Sequence, residues 1–135
     1  MVSSGKRRPP ELPVEFLGNT EEEIASFPLP VKKVIGFAIF LAQIGGKHTN
    51  AKPLTGDKAF KGASVIEIVE DYDGDTYRAV YTAKLAGVVY VLDAFQKKSK
   101  KGIRTPKAVI DRIKERLKRA KALHKENYEK LQKTK

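Results

Sequence analysis

Cysteine is missing from all 135 residues, so disulfides, thiolate metal sites and a cysteine nucleophile are excluded, and nothing asks for an oxidising compartment. Long apolar runs are missing as well. The longest apolar-rich stretch without a charge, residues 34–44, falls well short of the roughly 20 apolar residues that cross a bilayer. The basic Lys6-Arg7-Arg8 leads into Pro9-Pro10-Glu11 and not into an apolar signal core. The expectation is a chain that neither spans a membrane nor is exported, with the cytoplasm as its place of action. Metal-ligand spacings are absent too. His48 and His124 stand alone and read as surface residues, and Asp71, Asp73 and Asp75 around Gly74 lack the length and the bidentate Glu of a calcium loop. They read as an acidic turn, and no metal or other cofactor is expected.

Basic charge is abundant, and its location carries more than its size. Of the net +11, residues 96–135 hold 16 Lys and Arg against 4 Asp and Glu, a net +12, which leaves −1 for everything before them. A C-terminal field of this kind attracts polyanions: RNA, DNA, an acidic protein or an anionic membrane surface.

A chain of this length ordinarily forms one domain with a single core. Residues 1–13, with Pro9, Pro10 and Pro13, read as a flexible start. An edge strand is expected around residues 14–17. Thr20 and Glu23 have capping-box spacing, so a short helix should run to about Phe27, where Pro28 ends it. Pro30 opens a second, apolar helix carrying Val34, Ile35, Ala38, Leu41 and Ala42, closed by Gly45-Gly46. Residues 48–62 read as a loop. Strands are expected at 63–70, 76–84 and 88–95, joined by a turn at 71–75 and another at Ala86-Gly87. Thr105-Pro106 then opens a long basic helix with Ile110, Ile113, Leu117 and Ala120 as its apolar stripe, which thins beyond Ala120 to Leu123, Tyr128 and Leu131. The expected fold class is α+β: a small antiparallel sheet with two N-terminal helices and a long C-terminal one. Residues 14–123 form the domain, and 124–135 a basic tail continuing the last helix.

This order of elements resembles the RelE/HigB superfamily of toxins. Lys52-Pro53-Leu54-Thr55-Gly56, Val65-Ile66-Glu67-Ile68, Tyr77-Arg78-Ala79-Val80-Tyr81, the run from Tyr90 through Phe95-Gln96-Lys97-Lys98-Ser99, and Thr105-Pro106 narrow the resemblance to its phage-derived, HigB-like branch. The resemblance implies a RelE-like fold and a ribosome-dependent endoribonuclease that cuts mRNA without a metal. It also implies the toxin half of a type II toxin-antitoxin system, whose cognate antitoxin is commonly a helix-turn-helix protein. In that chemistry the ribose 2′-hydroxyl attacks the adjacent phosphate in line, and the protein positions the strand, moves protons and stabilises charge.

The resemblance carries Arg78 over as the RNA-facing arginine, a residue suited to gripping phosphate oxygens in two places. Lys97 and Lys98 match the basic strand-end position, with the choice between them open. Lys100, Lys101 and Arg104 supply field, and Lys84, in phase with Arg78, is a further RNA-binding candidate. Tyr77 and Tyr81 alternate with Arg78 and therefore belong to the core. Some superfamily members carry lysines on the strand that here holds Val65 to Val69; this chain has Glu67. Glu67 can serve as a general base, as an orienter of Arg78, or as a charge on an open sheet face. Two rival readings follow: a noncatalytic RNA- or ribosome-binding module, and a subunit of a toxin-antitoxin repressor.

Overall fold

A computed structural model describes residues 11–85, 87–97 and 105–129. Among these, five strands form one sheet in the order β1-β5-β4-β3-β2: β1 (Val14–Phe16), β2 (Ala51–Pro53), β3 (Val65–Tyr72), β4 (Asp75–Thr82) and β5 (Val89–Lys97). β1 runs parallel to β5 at one edge, and the other pairings are antiparallel. Helices α1 (Thr20–Ala25) and α2 (Leu29–Gln43) cover one face, and α4 (Lys107–His124) covers the other. A short α3 (Lys58–Ala63) closes the end of the α4 side. The protein is thus mixed α+β, as its sequence patterning requires. None of its described helices is long and apolar enough to cross a membrane.

The helices form where apolar spacing lets them. On α2 the buried face is Val31, Ile35, Ala38, Ile39 and Ala42, with Pro30 in its first turn. These side chains meet Ile68, Tyr77, Ala79, Tyr81, Val89 and Val91 from the sheet. On α4 the stripe is Ile110, Ile113, Leu117 and Ala120, packed on Val65, Val80, Tyr90 and Leu92. Burying each large aliphatic side chain stabilises by roughly 1.5–3 kcal/mol. The exposed Lys107–Asp111 pair on the same helix, 3.3 Å apart, belongs to a class worth ~0–1 kcal/mol, so packing and not surface pairing seats α4.

β5 carries one extra residue. Val80 lies opposite Asp93, but Tyr81 lies opposite Val91, so Leu92 has no cross-strand partner in β4. This β-bulge reverses the alternation of the strand. Val89 and Val91 face α2, whereas Leu92 packs toward α4 and Asp93 bonds to α4 arginines. Beyond the bulge, Ala94 returns to the α2 side. Asp93, only 2 % exposed, accepts hydrogen bonds from Arg112 Nε at 3.0 Å, Arg112 Nη2 at 3.1 Å and Arg116 Nη1 at 3.2 Å. A single buried carboxylate therefore pins the middle of α4 to the sheet.

Several expectations are corrected. The stretch read as a loop holds both β2 and α3, which are too short, at three and six residues, to show a periodic signal. Asp57 caps α3 by accepting from the Ala59 N–H at 2.9 Å, and Ser64 ends the helix in the left-handed region. β3 therefore begins at Val65, and it reaches Tyr72 because the hairpin needs only Asp73-Gly74, at φ 51° and 86°. Positive φ at both central residues is the geometry that matches strand twist in a two-residue turn. β4 ends at Thr82 and β5 extends to Lys97. Thr20 is not a cap: Asn19 precedes the helix, no side-chain cap bond forms, and the buried Thr20 Oγ1 has no hydrogen-bond partner among the described residues. Nor is His124 on the surface. It is 3 % exposed, hydrogen-bonded through Nδ1 to the hydroxyl of the fully buried Tyr90 at 3.0 Å, and its helix continues as a π-helical turn over Lys125–Glu129.

Replacing Asp93 by Ala leaves Arg112 and Arg116 facing a buried gap without an anion. Loss of one partner from a buried pair costs ~3–5 kcal/mol, and because Arg112 reaches solvent the expected loss is about 2–4 kcal/mol. Urea unfolding of Asp93→Ala against wild type measures it; an unchanged midpoint refutes the pinning role.

Candidate functional site

Arg78 sits in the middle of β4 on the α4 face, opposite Phe95 on β5 and Val69 on β3. α4 covers the rows that contain Val65, Val80 and Tyr90 but leaves the Arg78 row open, so a cleft of about 920 Å³ forms there. Its floor is Glu67 and Arg78. One wall is Lys52 on β2 with the loop from Leu54 to Asp57, and the other is Thr105, Pro106 and the first two turns of α4.

The walls are held together by specific contacts. Gly56, at φ +124°, lies so close to α4 that a Cβ would meet Ile110 Cδ1 at 3.0 Å. The next residue, Asp57, forms a 3.0 Å ion pair with Lys114 of α4. Thr105 does not cap the helix, which starts at Lys107 after an extended Pro106. Its hydroxyl instead accepts from Arg78 Nη1 at 3.3 Å, which draws the start of α4 to the site.

The same Nη1 donates to Glu67 Oε1 at 3.1 Å, and both side chains are about nine-tenths buried. Of the three roles open to Glu67, the geometry is that of an orienter. The carboxylate holds the guanidinium in one position and also neutralises it, so the pair is rigid and electrostatically balanced. Three carboxylates line the cleft and each has a cation: Glu67 has Arg78, Asp57 has Lys114, and Asp111 has Lys107. Lys52, exposed and opposite Glu67 in register, makes no salt bridge among the described residues.

The bulge in β5 sets the face on which Lys97 lies. Lys97 pairs with Thr76 in register and therefore lies on the Arg78 face, diagonal to it. Without the extra residue, Lys97 would point toward α2. Lys98, Lys100, Lys101 and Arg104 lie outside the described residues. Lys84 does not share the Arg78 face as expected. The strand has ended at Thr82, whose Oγ1 accepts from the Lys84 N–H at 3.2 Å, and the lysine lines a separate depression with Gly45, Gly46 and Tyr81. Tyr77 and Tyr81 are in the α2-side core, and burial pushes both phenols up, Asp75 and Asp73 adding to the effect on Tyr77. His48 lies apart from the cleft, its Nδ1 accepting from the Asn50 N–H at 2.9 Å. No cluster of three potential metal ligands occurs among the described residues.

Lys52, Asp57, Lys107 and Lys114 were not expected as site residues, although Lys52 opens one of the segments that carry the resemblance. Lys52 and Asp57 sat in a stretch read as loop, and the two lysines were indistinguishable from the other basic residues of α4. The available signal was Asp57 followed by Ala59 and Phe60, a short capped helix before β3.

The model of the family described as "Phage derived protein Gp49-like (DUF891)" matches residues 22–118, so the chain belongs to that family. No curated protein and no solved structure matches it.

The Asp57–Lys114 clip responds to pH with a defined sign. The Ala59 N–H first, and Lys114 second, hold the Asp57 carboxyl below its ordinary value, while the bond to Asp57 raises Lys114. A depressed acid contributes stability that is present above its unfolded pKa and lost as pH falls through the folded value. A raised lysine contributes below its unfolded pKa and loses that contribution as pH rises through the folded value. The clip is therefore complete between the aspartate and lysine ranges. Asp57→Asn keeps a capping side chain but removes the ionisable group, so its melting temperature should fall less than that of wild type between neutral and acid pH. Equal acid sensitivity in a circular-dichroism melting series refutes the clip.

Proposed function

We propose that the protein is the toxin component of a type II toxin-antitoxin system, a RelE-like fold of the HigB-like branch acting as a ribosome-dependent, metal-independent endoribonuclease on mRNA. The observation that carries this reading is Arg78 held by Glu67 and Thr105 on the floor of the cleft, with Lys97 on the same sheet face. Membership of a phage-derived, Gp49-like family supports it, because that family is toxin-like. A planar guanidinium fixed on the floor of a cleft suits the developing charge of a pentacoordinate phosphorane, and the basic C-terminal field suits capture of a polyanion. The partners of this reading are mRNA, the ribosome and a helix-turn-helix antitoxin, and its setting is the cytoplasm.

One observation favours the rival of a noncatalytic RNA- or ribosome-binding module. The charge of Arg78 is already matched by Glu67, and β3 presents no lysine to take part in proton transfer.

In a reconstituted translation reaction, wild type should leave new mRNA ends that require ribosomes and map by primer extension. Arg78→Ala should lower the cleavage rate about 10²–10³-fold, the usual cost of losing a preorganised charge at a phosphoryl or acyl centre. Because this variant leaves Glu67 buried without its cation, Arg78→Lys with its melting curve separates lost chemistry from lost folding. Lys97→Ala should give a smaller, salt-dependent loss. Undiminished cleavage by a folded Arg78→Ala removes Arg78 from the site, and ribosome binding without cuts by wild type establishes the binding-module reading.

A further inference from the structure

Arg78 presents an electrostatic problem to any phosphodiester that enters the cleft. Its Nη1 is already 3.1 Å from a carboxylate whose side chain is about nine-tenths buried. An incoming phosphate at Arg78 would place a second anion beside Glu67 in a poorly solvated position, where an uncompensated charge is costly. Asp57 and Asp111 cannot relieve this, being anions, and Lys107 and Lys114 are occupied by them.

Among the described residues that line the cleft, the cation without a salt bridge is Lys52. It stands directly opposite Glu67 in the β2–β3 ladder, and such opposed residues hold their Cβ atoms roughly 4.5–5.5 Å apart, within easy reach of both side chains. Lys52 is exposed, lines the cleft, and has no salt bridge among the described residues. Glu67 therefore has two cations within range, one engaged and one in reserve.

We infer that Lys52 is the second partner of Glu67: when a phosphodiester of single-stranded RNA takes Arg78, the Glu67 carboxylate passes from Arg78 to Lys52. The inference rests on the reading of the cleft as an RNA site. In the free protein Glu67 keeps Arg78 in position, and in the occupied protein Lys52 keeps Glu67 neutralised. Lys52 is accordingly a positioning residue that acts through Glu67 and need not touch the RNA.

A double-mutant cycle on the full chain tests this, with fluorescence anisotropy of a labelled single-stranded RNA whose riboses are 2′-O-methylated and so resist cleavage. Lys52→Ala should weaken binding about tenfold, the equivalent of ~1.4 kcal/mol. Lys52→Arg should restore it. Glu67→Gln, which removes the charge to be handed over, should bind at least as tightly as wild type, and adding Lys52→Ala to it should cost less than about twofold. If Glu67→Gln fails to fold by circular dichroism, the Glu67 Cδ resonance supplies the readout. That signal should shift on RNA addition in wild type and stay in place in Lys52→Ala. An equal cost of Lys52→Ala with and without Glu67 makes Lys52 a direct phosphate contact and overturns the handover, as does no cost at all. Wild type that binds no RNA overturns the RNA reading together with the inference, whereas RNA binding that is indifferent to the cycle overturns the inference alone.

Discussion

One inserted residue in β5 governs how the two halves of this molecule meet. A strand without the bulge would present Val89, Val91 and Asp93 to one face, which would carry a carboxylate into the apolar layer under α2. The insertion at Leu92 turns Asp93 toward α4, where Arg112 and Arg116 satisfy it, and puts Lys97 in phase with Arg78. The same local irregularity thus anchors the C-terminal helix and sets the charge on the open part of the sheet. It is economical because strand alternation has a period of two: a slip of one residue exchanges every following side chain between faces.

The cleft exists because α4 is anchored only over the middle of the sheet. Asp93 and the stripe from Ile110 to Ala120 hold the helix over the rows of Val65, Val80 and Tyr90, while the next row, that of Arg78, stays open. Thr105, Gly56 and the Asp57–Lys114 pair then draw the helix start and the β2–α3 loop to the rim. Arg78 gains rigidity from Glu67 at the expense of free positive charge. That compromise shapes both the catalytic and the noncatalytic readings, since a fixed arginine suits phosphate recognition while a neutralised one needs its carboxylate managed.

Much of this was readable from the chain, and the misses share a cause. The apolar stripe of α4, the inward Ile35, Ala38 and Ala42 of α2, a turn within residues 71–75 and the inward placement of Tyr77 and Tyr81 follow from periodicities of 3.6 and 2 that need only local sequence, whereas Val34 and Leu41 are half-buried and Val31 and Ile39 take the core positions on α2. Lys84 was misassigned because alternation was extended past the end of β4. β2 and α3 were missed because elements this short are stabilised by what they dock against: Ala51 and Phe60 are buried by residues remote in sequence. His124 looked like one polar residue on a basic helix, and only the position of Tyr90 across the core explains its burial.

By itself the sequence determined the α+β class, the separation of a near-neutral first two-thirds from a basic C-terminal end and the absence of thiol chemistry. These depend on composition and on short-range spacing. Only the tertiary structure decided that Glu67 holds Arg78, that Lys52 stands opposite Glu67, that Lys97 lies on the sheet face of Arg78 while Lys84 lies beyond the end of its strand, and that Asp93 locks α4. Each of those is a pairing between distant positions, set by strand register and by a single bulge. A one-residue change of register would leave every local preference intact and rearrange all of them.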